Sequence, residues 1–300
     1  MICPSENRRE RWLLMFNFKI IVSMKKVLFM AVVMLAACEE RVEVPQEAQK
    51  MKKVTFEVAS NGWSVMTRGL EADGQEMTDL WLFDYVDGVL VQTVHKSSGD
   101  VDFAQPSVAM TYGEHSVYFV AARGKTPTVS GTEITWASPS DTFWKAVSVT
   151  VGSGSASSVA VALDRVVTKL RIAVNDEVPT GTASLEMTQA PWYAGIDYLT
   201  GAAVGESDDS RTVAVPASYI GTSGQLVVNL FSLSDDDEWT ADVSIVAKDG
   251  SGGVLGRVDL EDVPFVRNRV TEASGNLFAA VTTFDISLNA EWRDSYVIEW

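Results

Sequence analysis

From Lys52 onward apolar residues recur at every second position. Val54, Phe56 and Val58 alternate with Thr55 and Glu57, the period of a strand with one face buried. Comparable runs occupy Leu80 to Tyr85, Val89 to Val94, Ser116 to Ala121, Val147 to Val151, Val159 to Leu163, Val166 to Val174, Leu226 to Leu233, Asp242 to Ala247 and Phe284 to Leu288. Turn chemistry separates them. Asp87-Gly88 between two such runs predicts a tight hairpin, and Asp249-Gly250-Ser251-Gly252-Gly253 predicts another. Helical periodicity is confined to Ser140–Ala146, where Ser140 or Asp141 would cap a turn or two carrying Phe143 and Trp144. Many short strands divided by Gly, Ser, Asp and Pro predict an all-β chain of antiparallel sandwiches rather than βαβ units.

The length of 300 residues is enough for two sandwiches, each large enough to fold around its own core. A Gly/Ser stretch at 152–158 precedes the runs at 159–174, which places a boundary near 163. The expected domains are 52–163 and 164–300. The same stretch reads nearly as well as a hairpin loop inside the first domain. No repeat of 20–50 residues is evident, which disfavours solenoids and propellers.

The amino-terminal part has a different pattern. Met24-Lys25-Lys26 is a short basic start, Val27–Ala37 is an apolar stretch of 11 residues, and Leu35-Ala36-Ala37-Cys38 closes it with small residues before a cysteine. This is the plan of a secretory signal, and it is well short of the about 20 residues that a spanning helix needs. The closing tetrad resembles the lipobox of bacterial lipoproteins, in which the thiol takes a diacylglyceryl group. The alternatives are an ordinary signal peptide with a chance cysteine, or a buried helix. The chain divides accordingly into a start-site extension at 1–23, a signal peptide at 24–37 and a lipidated tether at 38–51 with Cys38 as the lipidation site. If translation begins at Met24, Cys3 is absent from the protein. Glu39-Glu40 resembles the acidic surface-export signal of some lipoproteins, or is simply part of the polar tether.

Composition narrows the chemistry. With 40 acidic against 24 basic residues and a net charge of −16, the chain lacks the positive field that a phosphate backbone requires, and no nucleic-acid partner is expected. Two histidines and two cysteines exclude a disulfide scaffold or a zinc cluster. Histidine catalysis would rest on His95 or His115, neither of which sits in a recognisable nucleophile motif. Asp235-Asp236-Asp237-Glu238 and Asp208-Asp209 read as solvated turns without the glycine-containing spacing of a calcium loop. No catalytic residue, metal ligand or cofactor is assigned, and the expectation is a protein that is not an enzyme.

Several phrases of the sequence resemble those of the Bacteroidales fimbrillin family and its anchor-type relatives. They are Met66-Thr67-Arg68-Gly69, Met77 to Asp84, Tyr112-Gly113-Glu114-His115 leading into Val117 to Ala121, and Leu163 to Val167. At the end come Val266 to Thr271 and Gly275-Asn276-Leu277-Phe278. Together they span roughly residues 52–290. The resemblance implies two transthyretin-like β-sandwiches, export as a lipoprotein, and service as a structural subunit, tip or anchor of fimbriae. Outside it, Trp81 and Phe83 read as core residues, Arg165 and Arg267 as sheet-edge ion pairs, and Gly113 and Gly275 as turn formers.

In the resembling family, subunits join when a strand from one completes the sheet of another. Lys52 to Ala59 is the strand whose removal would open a groove. Tyr296, Ile298 and Trp300, on one face of the carboxyl end, are the candidate strand-exchange residues. Arg68 is the candidate processing site, or else an uncut turn arginine. The implied partners are other fimbrial subunits, the outer membrane through the lipid, and a host or bacterial surface ligand. The implied location is the outer membrane and the fimbrium. The alternative is a surface glycan-binding lipoprotein, with Trp192-Tyr193 and Trp239 as its expected exposed stacking platforms.

Overall fold

The computed structural model describes residues 50–60, 71–72, 75–123, 127–137, 139–207, 210–280 and 282–289, all within one compact unit, Lys50–Trp300. Cys38, Arg68, Asp208-Asp209, Tyr296, Ile298 and Trp300 lie outside the described residues, as do the leader at 1–37 and nearly all of the tether.

The first half builds one seven-stranded sheet. Its strands are β1 (Met51–Ser60), β4 (Asp79–Val86), β5 (Val89–Ser97), β6 (Ser107–Thr111), β7 (Gly113–Ala122), β10 (Thr142–Val151) and β11 (Ser158–Arg165). A two-residue ladder joins β2 (Glu71–Ala72) to β3 (Gln75–Glu76), and β8 (Thr128–Ser130) and β9 (Glu133–Thr135) belong to another sheet described below. The order is β5-β4-β7-β10-β11-β1-β6. β10 touches β11 only through Phe143↔Arg165 and Trp144↔Asp164, so the sheet turns a corner there. Its two wings enclose a core that includes Val54, Phe56, Leu80, Leu82, Phe103, Met110, Phe119 and Leu163.

The second half is a pair of four-stranded sheets. One runs β17 (Leu226–Ser232), β12 (Thr168–Val174), β20 (Val270–Asn276), β21 (Thr283–Asn289); the other runs β16 (Ser210–Ala214), β13 (Thr182–Ala190), β18 (Glu238–Asp249), β19 (Val254–Val266). Leu170, Ile172, Leu185, Met187, Val228, Ile245, Val263 and Phe265 are among the residues buried between them. Among the described residues a single 3₁₀ turn, Ala217–Tyr219, interrupts the strands.

A fourth sheet takes strands from both halves, in the order β15 (Ala203–Ser207), β14 (Trp192–Asp197), β9, β8. It packs an aromatic cluster of Trp81, Phe83, Trp136, Tyr198 and Phe231 with Val120, Ile134 and Ile196. β4 therefore has no solvated face: Leu80 and Leu82 enter the first core, and Trp81 and Phe83 enter this joint. Burial on both faces explains why the run Leu80-Trp81-Leu82-Phe83 is continuously apolar instead of alternating.

The strand runs read from the sequence all fall within or across observed strands, and the ladders are antiparallel except at two. β1 lies parallel to β11, Thr55 to Ser60 beside Ser158 to Leu163, and β12 lies parallel to β20. The hairpin turn carries Asp87 at φ 50° and Gly88 at φ 76°, the left-handed pair that a two-residue turn requires. At the other expected turn the Asp249 carboxylate accepts the Ser251 and Gly253 amides at 2.8 Å each. The helix expected over Ser140–Ala146 is instead the start of β10. Thr142 and the alternating Val147, Val149 and Val151 favour the extended chain, and β7 pairs with all ten residues of β10. The Gly/Ser stretch at 152–158 connects β10 to β11.

Candidate functional site

The first strand is the element through which assembly by strand addition would work. β1 is central, with β6 antiparallel on one side and β11 parallel on the other. Its alternation sends Val54, Phe56 and Val58 into the core at no more than 1% exposure, and Phe56 meets the Phe119 ring edge-on at 5.2 Å. Amides donate to both flanks: Phe56 N to Pro106 O at 3.0 Å, Val58 N to Ala104 O at 2.9 Å, and Thr55 N to Ser157 O at 2.9 Å. Polar side chains secure the opposite face, Thr55 Oγ1 with Ser107 Oγ at 2.7 Å, Ser158 Oγ donating to Glu57 Oε1 at 2.6 Å, and Lys52 Nζ donating to Ser155 O. A strand held this way leaves a two-sided backbone groove and a row of apolar pockets wherever it is withdrawn.

One buried hydrogen-bonded pair locks the end of that bed. His115 and Asp84 are 1% and 2% exposed at the side chain, with Nδ1 2.7 Å from Asp84 Oδ1. His115 Nε2 lies 2.9 Å from Thr111 O, so the ring joins β7 and β4 to the last residue of β6, the strand that flanks β1. Two oxygen atoms, Asp84 Oδ1 and Thr111 O, face the two ring nitrogens. His115 thus ties the two wings of the first sheet together.

A second buried pair stands where the halves meet. Arg165 Nε and Nη2 donate to the two Asp141 oxygens at 2.8 and 3.0 Å, and Nη1 donates to Asn268 Oδ1 at 3.2 Å. Both partners are nearly inaccessible, and Phe143 lies under the guanidinium at 4.8 Å. The sheet-edge ion pair expected for Arg165 is therefore a buried junction. Arg267 matches the expected role more closely, reaching exposed Asp237 at 3.3 Å. Gly275 is not a turn former but the penultimate residue of β20, paired with Phe284, and the Thr283 carbonyl and the Phe284 ring occupy the space a side chain would need.

The joint between the halves is aromatic and closely fitted. Phe83 stacks on Tyr198 with ring centroids 3.6 Å apart. Tyr198 Oη donates to Gly131 O at 3.2 Å and contacts Tyr85 Oη at 3.1 Å. Gly195 lets β14 approach β9, since a Cβ there would lie 2.0 Å from Ile134 O. Burial, then the Tyr85 hydrogen bond, raise the Tyr198 phenol well above its ordinary value of 10. The raised folded-state value favours the protonated phenol, so its stabilisation is whole below the unfolded value and is lost as pH climbs toward the folded one. Tyr193 is raised as well, by burial and then by Glu206, so phenolate absorbance titration is expected to show late-ionising tyrosines, the latest of which disappears in Tyr198→Phe. An unchanged late step in that variant would contradict the placement.

The rival sites fare differently. Trp192, expected to be exposed, is 5% exposed and lies under the Arg211 guanidinium at 4.3 Å. Tyr193 and Trp239 are half-buried, the latter stacked on Phe265 at 5.5 Å. Tyr193 packs against the aromatic cluster of the fourth sheet and Trp239 against the core between the paired sheets. Asp235 to Glu238 are exposed between β17 and β18, and Asp235 accepts the Ala203 amide at 2.6 Å. His95 Nε2 lies 2.7 Å from Asp79 Oδ1 and its ring stacks on Trp81 at 4.7 Å; Trp81 and His95 are also register partners of β4 and β5. Among the described residues no group of three or more His, Cys, Asp or Glu side chains could hold a metal ion, and no helix is long and apolar enough to cross a membrane.

Sequence reasoning missed Asp141 and Asp84 as charge partners. For Asp84 the available signal was its position inside an apolar strand run, where a carboxylate needs a buried partner; Asp141, in the polar stretch just before β10, gave no such signal.

Comparison with known proteins follows from this geometry. A family model described as a family of unknown function (DUF6562) matches residues 128–299. No curated protein matches the sequence. Among solved structures, a DUF1812 protein of Bacteroides thetaiotaomicron VPI-5482, described as a candidate polysaccharide-binding protein, is similar at a TM-score of 0.52 with 9% identity, over 79% of this chain and 96% of that one. A candidate adhesin of Bacteroides ovatus ATCC 8483 gives 0.49 with 12% identity, over 71% and 83%. The fimbrial anchor protein Mfa2 of Porphyromonas gingivalis gives 0.48 with 11% identity, over 80% and 98%. The first of these shares the all-β fold along nearly its whole length.

Proposed function

Because this chain belongs to the DUF6562 family, a family of unknown function, and pairs a lipobox-like leader with a first strand flanked on both sides, we propose that it is a cell-surface lipoprotein of the fimbrillin type. It is tethered to the outer membrane through acylated Cys38 and joins other fimbrial subunits, as structural subunit, tip or anchor, by β-strand addition. The observation that carries this reading is the bed of β1: a strand paired on both sides, with three consecutive inward residues fully buried. Emptying it exposes backbone donors, acceptors and pockets that an incoming strand satisfies together. Tyr296, Ile298 and Trp300 supply the alternating apolar side chains such a strand needs. Cleavage at Arg68 would free β1 along with the lipid, whereas an uncut chain stays at the fibre base. The protein works through backbone pairing and not through catalysis, and it needs no cofactor.

The competing reading, a glycan-binding lipoprotein, requires exposed stacking rings. None of the described tryptophans is exposed.

Labelled palmitate is expected to enter the wild-type protein and to be lost in Cys38→Ala, while mass spectrometry of envelope and sheared fibres finds either acylated Cys38 or free Gly69 at the amino terminus. Absence of label from the wild type, or its retention in the variant, would remove the anchoring claim.

A further inference from the structure

We propose that the end of the first sandwich where β1 begins is a membrane-contact face, which rests on the headgroup layer of the anionic bilayer that holds the chain's own acyl groups. The inference depends on the lipoprotein reading of the preceding section and adds to it a specific orientation. β10 runs away from the joint, from Phe143 beside Arg165 to Val151, while β11 and β1 run back toward it. At about 3.3 Å per residue, the ten residues of β10 set this end about 30 Å from the Arg165–Asp141 junction. The β4–β5 hairpin, the β6–β7 turn and the β10–β11 loop close the same end, because Tyr85 pairs with Ser116, Gly113 with Val151, and Thr111 with Met51.

The side chains that a headgroup layer accepts converge there. Met51, Val89, Leu90 and Tyr112 stand 57%, 63%, 43% and 41% exposed. Tyr112 is fixed beside the first strand, its amide donating to Lys50 O at 2.9 Å, and the His115 contacts to Asp84 and Thr111 hold the two wings together just behind it. Tyrosine is a residue of membrane interfaces, where its ring meets the acyl boundary and its hydroxyl stays among the headgroups.

Charge points the same way. Lys50 and Lys53 are exposed, Lys52 Nζ donates to Ser155 O in the β10–β11 loop, and Lys53 acts on Asp102 only through its field, Asp102 being bonded to Lys96 at 2.9 Å. Against these three lysines, the strand start, the hairpin tip, the turn and the loop carry two exposed acids, Asp87 and Glu114. The chain as a whole has a net charge of −16, so an anionic bilayer repels the molecule in general and admits this end, where lysine stems lie along apolar neighbours and ammonium groups reach phosphates.

The course of the chain says what covers the face. β1 begins at Met51, and residues 38–49 join it to the acylation site. Even fully extended, a segment of that length spans no more than about 43 Å, so the bilayer that holds Cys38 is always within that distance of Lys50. Exposed Val254, at the β18–β19 hairpin of the second half, lies beyond the joint and serves as the control.

The acylated full chain is placed in vesicles of phosphatidylethanolamine and phosphatidylglycerol that contain spin-labelled lipid, with a thiol-linked fluorophore at Met51→Cys or at Val254→Cys and the parent chain as blank. A face inserted into the headgroup layer is expected to make quenching at residue 51 at least ~5-fold stronger than at residue 254. Equal quenching at the two positions overturns the proposal and leaves the tether standing. Lys50→Glu/Tyr112→Glu, at two exposed positions, is expected to bring the two probes level while palmitate labelling and the denaturation midpoint stay at the parent values; a difference that persists rejects this face. A parent chain that carries no acyl group rejects the lipoprotein reading instead. The same probes, in Cys38→Ala chains, are then added from solution to the same vesicles: stronger quenching at residue 51 upholds the face, and equal or absent quenching rejects it.

Discussion

Arg165→Met is expected to lower the stability of the protein by about 3–5 kcal/mol, the cost of leaving a buried carboxylate without its counter-charge. Asp141 is 2% exposed at the side chain and takes two of its hydrogen bonds from the guanidinium. The same change removes the bond to Asn268, which also donates its amide to Val167 O at 2.9 Å, so contacts across the middle of the chain loosen with it. Chemical denaturation followed by tryptophan fluorescence measures the loss, since Trp81, Trp136 and Trp192 are buried in or near the joint. The double variant Arg165→Met/Asp141→Leu is expected to recover most of it, because a well-packed apolar pair can replace a buried ion pair at little cost. A double variant as unstable as the single one would show that the charges are not what matters at this position.

Phe56→Ala is expected to cost a similar amount, about 3–5 kcal/mol, through the cavity it leaves in the first core. Its consequence is more local. Phe56 is fully buried and packs on Phe119, and it anchors the strand whose withdrawal the proposed assembly needs. Amide hydrogen exchange in β1 is therefore expected to accelerate more than exchange in β18 or β13, which enclose the other core. Lys53→Ala, on the exposed face of the same strand, is the control and is expected to stay within about 0.5 kcal/mol of wild type. A loss below about 1 kcal/mol for Phe56→Ala would mean that β1 is not bedded as described.

Both sites show why the sequence could be read only in part. Val54, Phe56 and Val58 announce a strand through their spacing, because a period of two is a property of the strand itself and needs no knowledge of neighbours. The same spacing says nothing of which strands lie beside it. The parallel pairing of β1 with β11 joins residues about a hundred positions apart. Ser140 to Ala146 misled in the opposite direction. Its capping residues and aromatics suited a short helix, yet β7 and the need to bury Phe143 decided for a strand. Local preference of this kind amounts to a few tenths of a kcal/mol per residue, which a ten-residue ladder outweighs.

The sequence by itself determined the class of element, the hairpin turns at Asp87-Gly88 and Asp249 to Gly253, and the acidic character of the chain. Each follows from residues adjacent in the chain or from simple composition. Only the tertiary structure decided that β4 is buried on both faces, that Arg165 and His115 are internal ties, that Trp192 is covered, and that Val89 to Val91 are left outside. Those outcomes depend on which surfaces meet after the chain has folded. The free energy of burying a second face, or of pairing a buried charge, belongs to contacts between distant residues and is invisible in any local stretch.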